Sequence, residues 1–367
     1  MEGHRKINKG EDDNQSNVSF IDKYYEASGA SPEDIAEFEA LAKRLPALPN
    51  EPHETLLAIT DFLRKEKFTF DETSLVLHDV LKNKSGNCLS LSLLVGALLE
   101  TQGKVAESKI LIHLLDHVSE NDKRLFRDLY SGGAISYDNP QLPNFDEQPT
   151  TDLQDNRFVL QDHPIIILNG IPLDTTMATL KDELNPLIET RSETSLKYSL
   201  EELNSFLYSD RAKGINKRLH DSVEKNEKDL VDLYALIQES LALVPNNRDA
   251  LQLLWQYGEF TKDNKLKKEA VEKLKQINTD DSDLNYRLWL VTGEVSYLNK
   301  SLEKFPENIR AFIDKKVFLE KDPKEARANL AIVLWCVYYS KALSLKDYTN
   351  DPMIKEKMKE LFPEQFD

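Results

Sequence analysis

Residues 85–103 read SGNCLSLSLLVGALLETQG, and this stretch decides how the rest of the chain is organised. Leu89, Leu93, Leu94, Ala97 and Leu98 recur at helical spacing, and Gly103 stands where a C-terminal cap belongs. The run is apolar nearly all round. That pattern predicts a helix buried at the centre of a domain, with Cys88 in its first turn behind a Gly-Asn loop.

Upstream, Ser31-Pro32-Glu33-Asp34 is a helix start: a hydroxyl N-cap, Pro at the first helical position, and acids in the first turn. Ile35, Phe38, Leu41, Ala42 and Leu45 follow at helical spacing until Pro46 and Pro49 end the run. A second helix starts near Glu54, with Leu56, Ile59, Phe62 and Leu63 on one face. Phe68-Thr69-Phe70 reads as extended, and Ser74 to Leu81 as a further helical turn or two. Residues 1–18 are polar and aperiodic, which predicts a disordered tail.

Downstream, KILIHLLDHV (109–118) carries apolar residues on both faces and predicts an interior strand. Residues 136–157 are rich in Pro, Asn, Asp, Gln and Thr and predict a long loop. In FVLQDHPIIILNGIPLDTT (158–176), Asn169-Gly170 separates two apolar runs and predicts a tight hairpin. A two-residue turn sets Leu168 against Ile171, Ile167 against Pro172, Ile166 against Leu173 and Ile165 against Asp174. Pro164 cannot donate to a ladder, so it marks an edge strand or a strand start.

From about Leu196 onward the chain reads as helical. ESLALVPNNRDAL (239–251) resembles KSLEKFPENIRAF (300–312): a helix end, a Pro, an Asn two residues on, then a new helix. Their spacing is a little under two units of about 34 residues, and KLKQINTDDSDLNYRL (273–288) fits between them as a degenerate middle copy. The expected fold class is α+β: a core domain over 19–190, with the cysteine helix against a small antiparallel sheet. A helical array of tetratricopeptide type over 191–367 should follow it.

Composition narrows the function. With 64 acidic against 47 basic residues the formal charge is −17, which argues against nucleic-acid binding. No stretch has the roughly 18 uninterrupted apolar residues of a membrane span, and the start has no apolar signal region. Two cysteines cannot build a disulfide framework, so a reduced, cytoplasmic protein is expected. Twelve glycines in 367 residues fit a largely helical chain.

Cys88 is the candidate nucleophile, because backbone N–H groups and the positive end of a helix dipole favour thiolate there. The bland alternative is a small packed hydrophobe, the role assigned to Cys336 in AIVLWCVYYS. A thiolate needs a base and a group that orients it. Among seven histidines, His4 falls in the tail, and His53, His78 and His220 have no special neighbours in sequence. His113 and His117 follow the cysteine helix, and His163 opens the hairpin. Asp174, diagonal to His163 across the turn, lies at roughly 7–8 Å between backbones, within side-chain reach. His113-Leu114-Leu115-Asp116-His117 lacks the Glu of a zinc helix, and neither metal nor cofactor is called for.

Taken together, ETLLAITDFLRKEKFTFDETSLVLHDVLKNKSGNCLSLSLLVGALLETQG (54–103) resembles the core of the transglutaminase-like superfamily, related to papain-like thiol enzymes. The later His, followed by an apolar strand, a turn and Asp-Thr-Thr, is similar to that family's His and Asp strands. With helical repeats downstream, the chain resembles bacterial proteins that join such a core to tetratricopeptide-like repeats. The resemblance implies Cys88 as nucleophile, His163 as base and Asp174 as orienter in a cysteine amide hydrolase or acyltransferase. The alternative is a non-catalytic scaffold, with the array holding a protein or peptide partner.

Overall fold

The computed structural model describes residues 19–71, 74–111, 163–173, 175, 195–222, 225–277, 282–304, 308–339 and 352–363. The expected tail, the loop at 136–157, the strand's continuation through 112–118, Asp174 and residues 176–194, which include the expected domain boundary, lie outside the described residues. The fold is mostly helical with a few small strands.

Helix α1 (Phe20–Ser28) begins at the N-cap Ser19 and ends at Gly29, whose φ of 64° supplies the left-handed cap. The Glu100 carboxylate accepts from the backbone N–H groups of Phe20 and Ile21, at 3.1 and 2.9 Å. That long-range cap ties α1 to the far end of the cysteine helix. Helix α2 (Pro32–Arg44) starts at the expected N-cap Ser31, which forms a capping box with Asp34. Helix α3 (Pro52–Lys65) leads into β1 (Thr69–Phe70), and α4 (Leu77–Asn83) into β2 (Ser85–Gly86), which pairs parallel with β1. Helix α5 (Cys88–Thr101) follows, and every residue from Leu89 to Leu99 is buried. A helix with no exposed face can only be central, as the sequence predicted.

Strands β3 (Glu107–Leu111), β4 (His163–Leu168), β5 (Ile171–Leu173) and β6 (Ser195–Ser199) form an antiparallel sheet in the order β5-β4-β3-β6. The β4–β5 hairpin pairs Leu168 with Ile171, Ile167 with Pro172 and Ile166 with Leu173, the register that a two-residue Asn-Gly turn dictates. Pro164 is the second residue of β4, the strand start that its missing N–H implies, and it pairs with Ile110 of β3. One expectation needs correction. The chain from Leu196 is not helical at once: Ser195–Ser199 is the fourth strand, running beside β3. Its alternation Leu196, Lys197, Tyr198 is a strand pattern too short to stand out before the long helix behind it. The sheet thus reaches past the boundary expected at 190, and one hydrophobic core runs from Phe20 to Tyr208.

Helix α6 (Leu200–Asp221) opens with a Ser199–Glu202 capping box. Its first half packs into that core; Ala212, Ile215 and Leu219 enter a second. Helices α7 (Glu227–Leu243), α8 (Arg248–Thr261), α9 (Asn264–Gln276), α10 (Ser282–Thr292) and α11 (Val295–Lys304) follow with short connections. They pack as pairs, α6 with α7, α8 with α9 and α10 with α11, while α6, α8 and α10 also touch in a row. Helix α12 (Ile309–Ile313) runs into a π-helical turn (Asp314–Phe318), then come α13 (Pro323–Tyr339) and α14 (Pro352–Leu361), which share a third core.

The repeat read from sequence has a physical basis. Asn247 accepts at Oδ1 from the N–H groups of Asp249 and Ala250, capping α8. Its Nδ2 donates to Ser205 Oγ (2.8 Å), Ser209 Oγ (3.2 Å) and Ser240 Oγ (3.1 Å), all buried. Asn308 does the same two helix pairs on: Oδ1 accepts from Ala311 N–H, and Nδ2 donates to Ser282 Oγ (2.9 Å) and Ser301 Oγ (3.2 Å). The Asn after each Pro thus caps one helix while satisfying the serines of the preceding pair.

Candidate functional site

The loop before Cys88 is held from several sides. Asn87 caps α5 by accepting from Ser90 N–H at 2.9 Å, and Ser90 Oγ accepts from Asn87 N–H at 2.9 Å. Ser90 Oγ also donates to the Ser74 carbonyl at 2.8 Å. Ser74 Oγ meets Asp71 at 2.9 Å and Ser85 Oγ at 3.1 Å, so the loop after β1 and the strand before Cys88 share one polar cluster. Gly86 lies so close to α5 that a Cβ there would stand 2.6 Å from Ser90 Oγ. Glycine at 86 is therefore a requirement of close approach; its φ lies outside the left-handed region.

One residue earlier in the chain than Ser85, Lys84 takes a left-handed φ of 50° and donates to Glu66 Oε2 at 2.7 Å. Arg44 grips the same carboxylate with both prongs, Nε and Nη2 each at 3.0 Å. Together Arg44 and Lys84 hold the Glu66 carboxyl down at about 2.

Cys88 is the first residue of α5, half-buried and with a free thiol. One turn on, on the same face of the helix, Ser92 is fully buried. Its Oγ donates to the Pro164 carbonyl at 3.2 Å and lies 3.0 Å from Thr175 Oγ1. His163 begins β4, in register with Leu111 of β3. The chain neighbours of His163 and Asp174 are therefore fastened to the first turns of the Cys88 helix. Cys336 lies within α13, and His113 and His117 lie outside the described residues.

Sequence reading missed several residues. Ser90 and Ser92 carried a usable signal, since hydroxyls inside an otherwise apolar, buried helix must find partners. His78 has no special neighbours in sequence, yet its Nδ1 lies 2.8 Å from Asp34 Oδ1, a partner 44 residues away. His220 likewise packs edge-on against Phe260 at 4.8 Å. Burial disfavours the Asp34 carboxylate, but the Ser31 N–H and His78 outweigh it and leave the group below its ordinary value.

The array has a charged row. Asp249 of α8 pairs with Lys213 of α6 and Arg287 of α10, and Asp283 pairs with Arg287 (2.7 Å) and Arg248 (3.5 Å). Burial opposes ionisation of Asp249, but Arg287 and Lys213 together hold its carboxyl well below the usual range. These pairs satisfy one another and link α6, α8 and α10.

Among the described residues no group of three or more His, Cys, Asp or Glu side chains is placed to hold a metal ion. Among the same residues no helix is long and apolar enough to cross a membrane. Comparison of the chain with protein-family models, curated proteins and solved structures finds no match in any of the three.

Proposed function

We propose that the first core is a transglutaminase-like thiol domain that cleaves or transfers an amide acyl group. Cys88 Sγ forms a bond to the amide carbonyl carbon as His163 accepts the thiol proton. The C–N bond then breaks, and His163 passes that proton to the leaving amine, leaving a thioester on Cys88. Water or a second amine resolves the thioester, which separates hydrolysis from acyl transfer. Asp174 orients the imidazole, and the backbone N–H of Cys88 contributes to the oxyanion site.

The observation that carries this reading is the Ser92 junction, which fastens Pro164 and Thr175 to the helix that begins with Cys88. A merely packed cysteine needs neither that junction nor the pinned Gly86–Asn87 loop. The test is iodoacetamide labelling of the full chain near neutral pH. Cys88 should react faster than Cys336, His163→Ala should slow it more than His117→Ala, and Asp174→Asn should slow it less than His163→Ala. Equal labelling of the two thiols, or a larger effect of His117→Ala, would overturn the triad.

A second reading has its own support in the row of paired helices from α6 to α13, a surface suited to holding a protein or peptide segment. It becomes the better account if Cys88 is unreactive in the native chain.

A further inference from the structure

Several enclosed carboxylates among the described residues face a cation: Asp34 has His78, Glu66 has Arg44 and Lys84, Asp249 has Lys213 and Arg287, and Asp283 has Arg287 and Arg248. Asp314 does not. It opens the π-helical turn after α12, where the backbone widens and Leu319 N–H reaches back to the Asp314 carbonyl at 3.0 Å. Two aromatic donors of α10 converge on one of its oxygens: Tyr286 Oη at 3.1 Å and Trp289 Nε1 at 3.0 Å, both on Oδ2. Neither takes Oδ1. No described Lys, Arg or His forms an ion pair with the carboxylate. Burial accordingly pushes the Asp314 carboxyl above its ordinary value, and the indole and phenol donors offset only part of that.

Asp314, Tyr286 and Trp289 are all half-buried, so the group is open on one side. An anchored carboxylate between a phenol and an indole, with one oxygen uncommitted, has the chemistry that recognises an ammonium or guanidinium group. We propose that this junction of α10 and the π-helical turn binds a cationic side chain, arginine foremost, of a partner peptide segment. Charge favours that partner over an acidic or neutral one, since the chain carries −17. The site lies in the array and stands independently of any chemistry at Cys88.

The test titrates the full chain with acetyl-Ala-Arg-Ala-amide and with its citrulline counterpart, which keeps the shape and removes the charge. The readout is the Trp289 indole N–H resonance, one of three in the chain, identified with Trp289→Phe. The expected result is a saturable shift with the arginine peptide, at least about tenfold weaker with citrulline, as the loss of one charge-assisted contact requires. High salt should weaken it, and Asp314→Asn, which keeps an acceptor for both aromatic donors, should abolish it. No saturable shift up to about 10 mM peptide, where even a weak single-residue contact registers, would overturn the proposal. Equal binding of the citrulline peptide would do the same; the peptide comparison uses the unaltered chain and needs no variant to fold.

Discussion

Gly86→Ala and Gly214→Ala make the same chemical change with opposite expected signs. At Gly86 the new methyl carbon would stand 2.6 Å from Ser90 Oγ and 3.0 and 3.2 Å from Leu91 Cγ and Cδ2. The Ser90 hydroxyl cannot swing away without loss, because it accepts from Asn87 N–H and donates to the Ser74 carbonyl. Leu91 is fully buried and has no room to yield. Overpacking of this kind costs about 1–3 kcal/mol, and loss of the Asn87–Ser90 cap adds up to about 1 kcal/mol. Gly214 lies inside α6, and a Cβ added there would meet nothing within 4 Å, so alanine should stabilise by about 0.5–1 kcal/mol through lower chain entropy. The assay is urea unfolding of the full chain followed by far-UV circular dichroism, with Cys88 labelling in parallel. Gly86→Ala should lower the midpoint of the transition that contains the first core and change the labelling rate; Gly214→Ala should raise the midpoint and leave labelling alone. If both variants shift the midpoint in the same direction, the close approach at Gly86 does not govern the Cys88 loop.

Asn247→Ala and Asn308→Ala each remove a helix cap and strand buried serines, so thermal unfolding should show each losing about 2–3 kcal/mol; a loss under about 0.5 kcal/mol would mean that the serines re-pair among themselves. Glu66, depressed to about 2 by Arg44 and Lys84, contributes stability that is fully present above its unfolded value near 4.5 and is lost as pH falls toward 2. Because Arg44 and Lys84 are substantially exposed, solvent screening reduces this to roughly 1 kcal/mol, and Glu66→Gln should flatten the acid limb of stability against pH by that amount. Ser92→Ala leaves the Pro164 carbonyl and Thr175 hydroxyl without that partner at a buried junction, so it should cost about 1–2 kcal/mol. Under the thiol-enzyme reading it should also slow Cys88 labelling, and unchanged labelling in a destabilised Ser92→Ala would assign the junction to stability alone.

Local chemistry was legible in the sequence because it depends on residues within a few positions of one another. The Ser31 N-cap, the all-round burial of residues 89–99 and the hairpin register about Asn169-Gly170 all follow from spacing, and each is found. The Pro-x-Asn repeat was visible as a pattern, but its meaning was not, since Asn247 works by donating to serines up to 42 residues away. The strand at 195–199 was hidden for the same reason: five residues carry little periodicity, and pairing with β3 is what makes them a strand. Cys88 stood out by its place at a helix start. That Ser92 ties Pro164 and Thr175 to this helix, and that Asp314 meets two aromatic donors and no cation among the described residues, were decided by tertiary packing alone. Hydrogen bonds and charges act over a few ångströms of space, and a sequence records distance only along the chain.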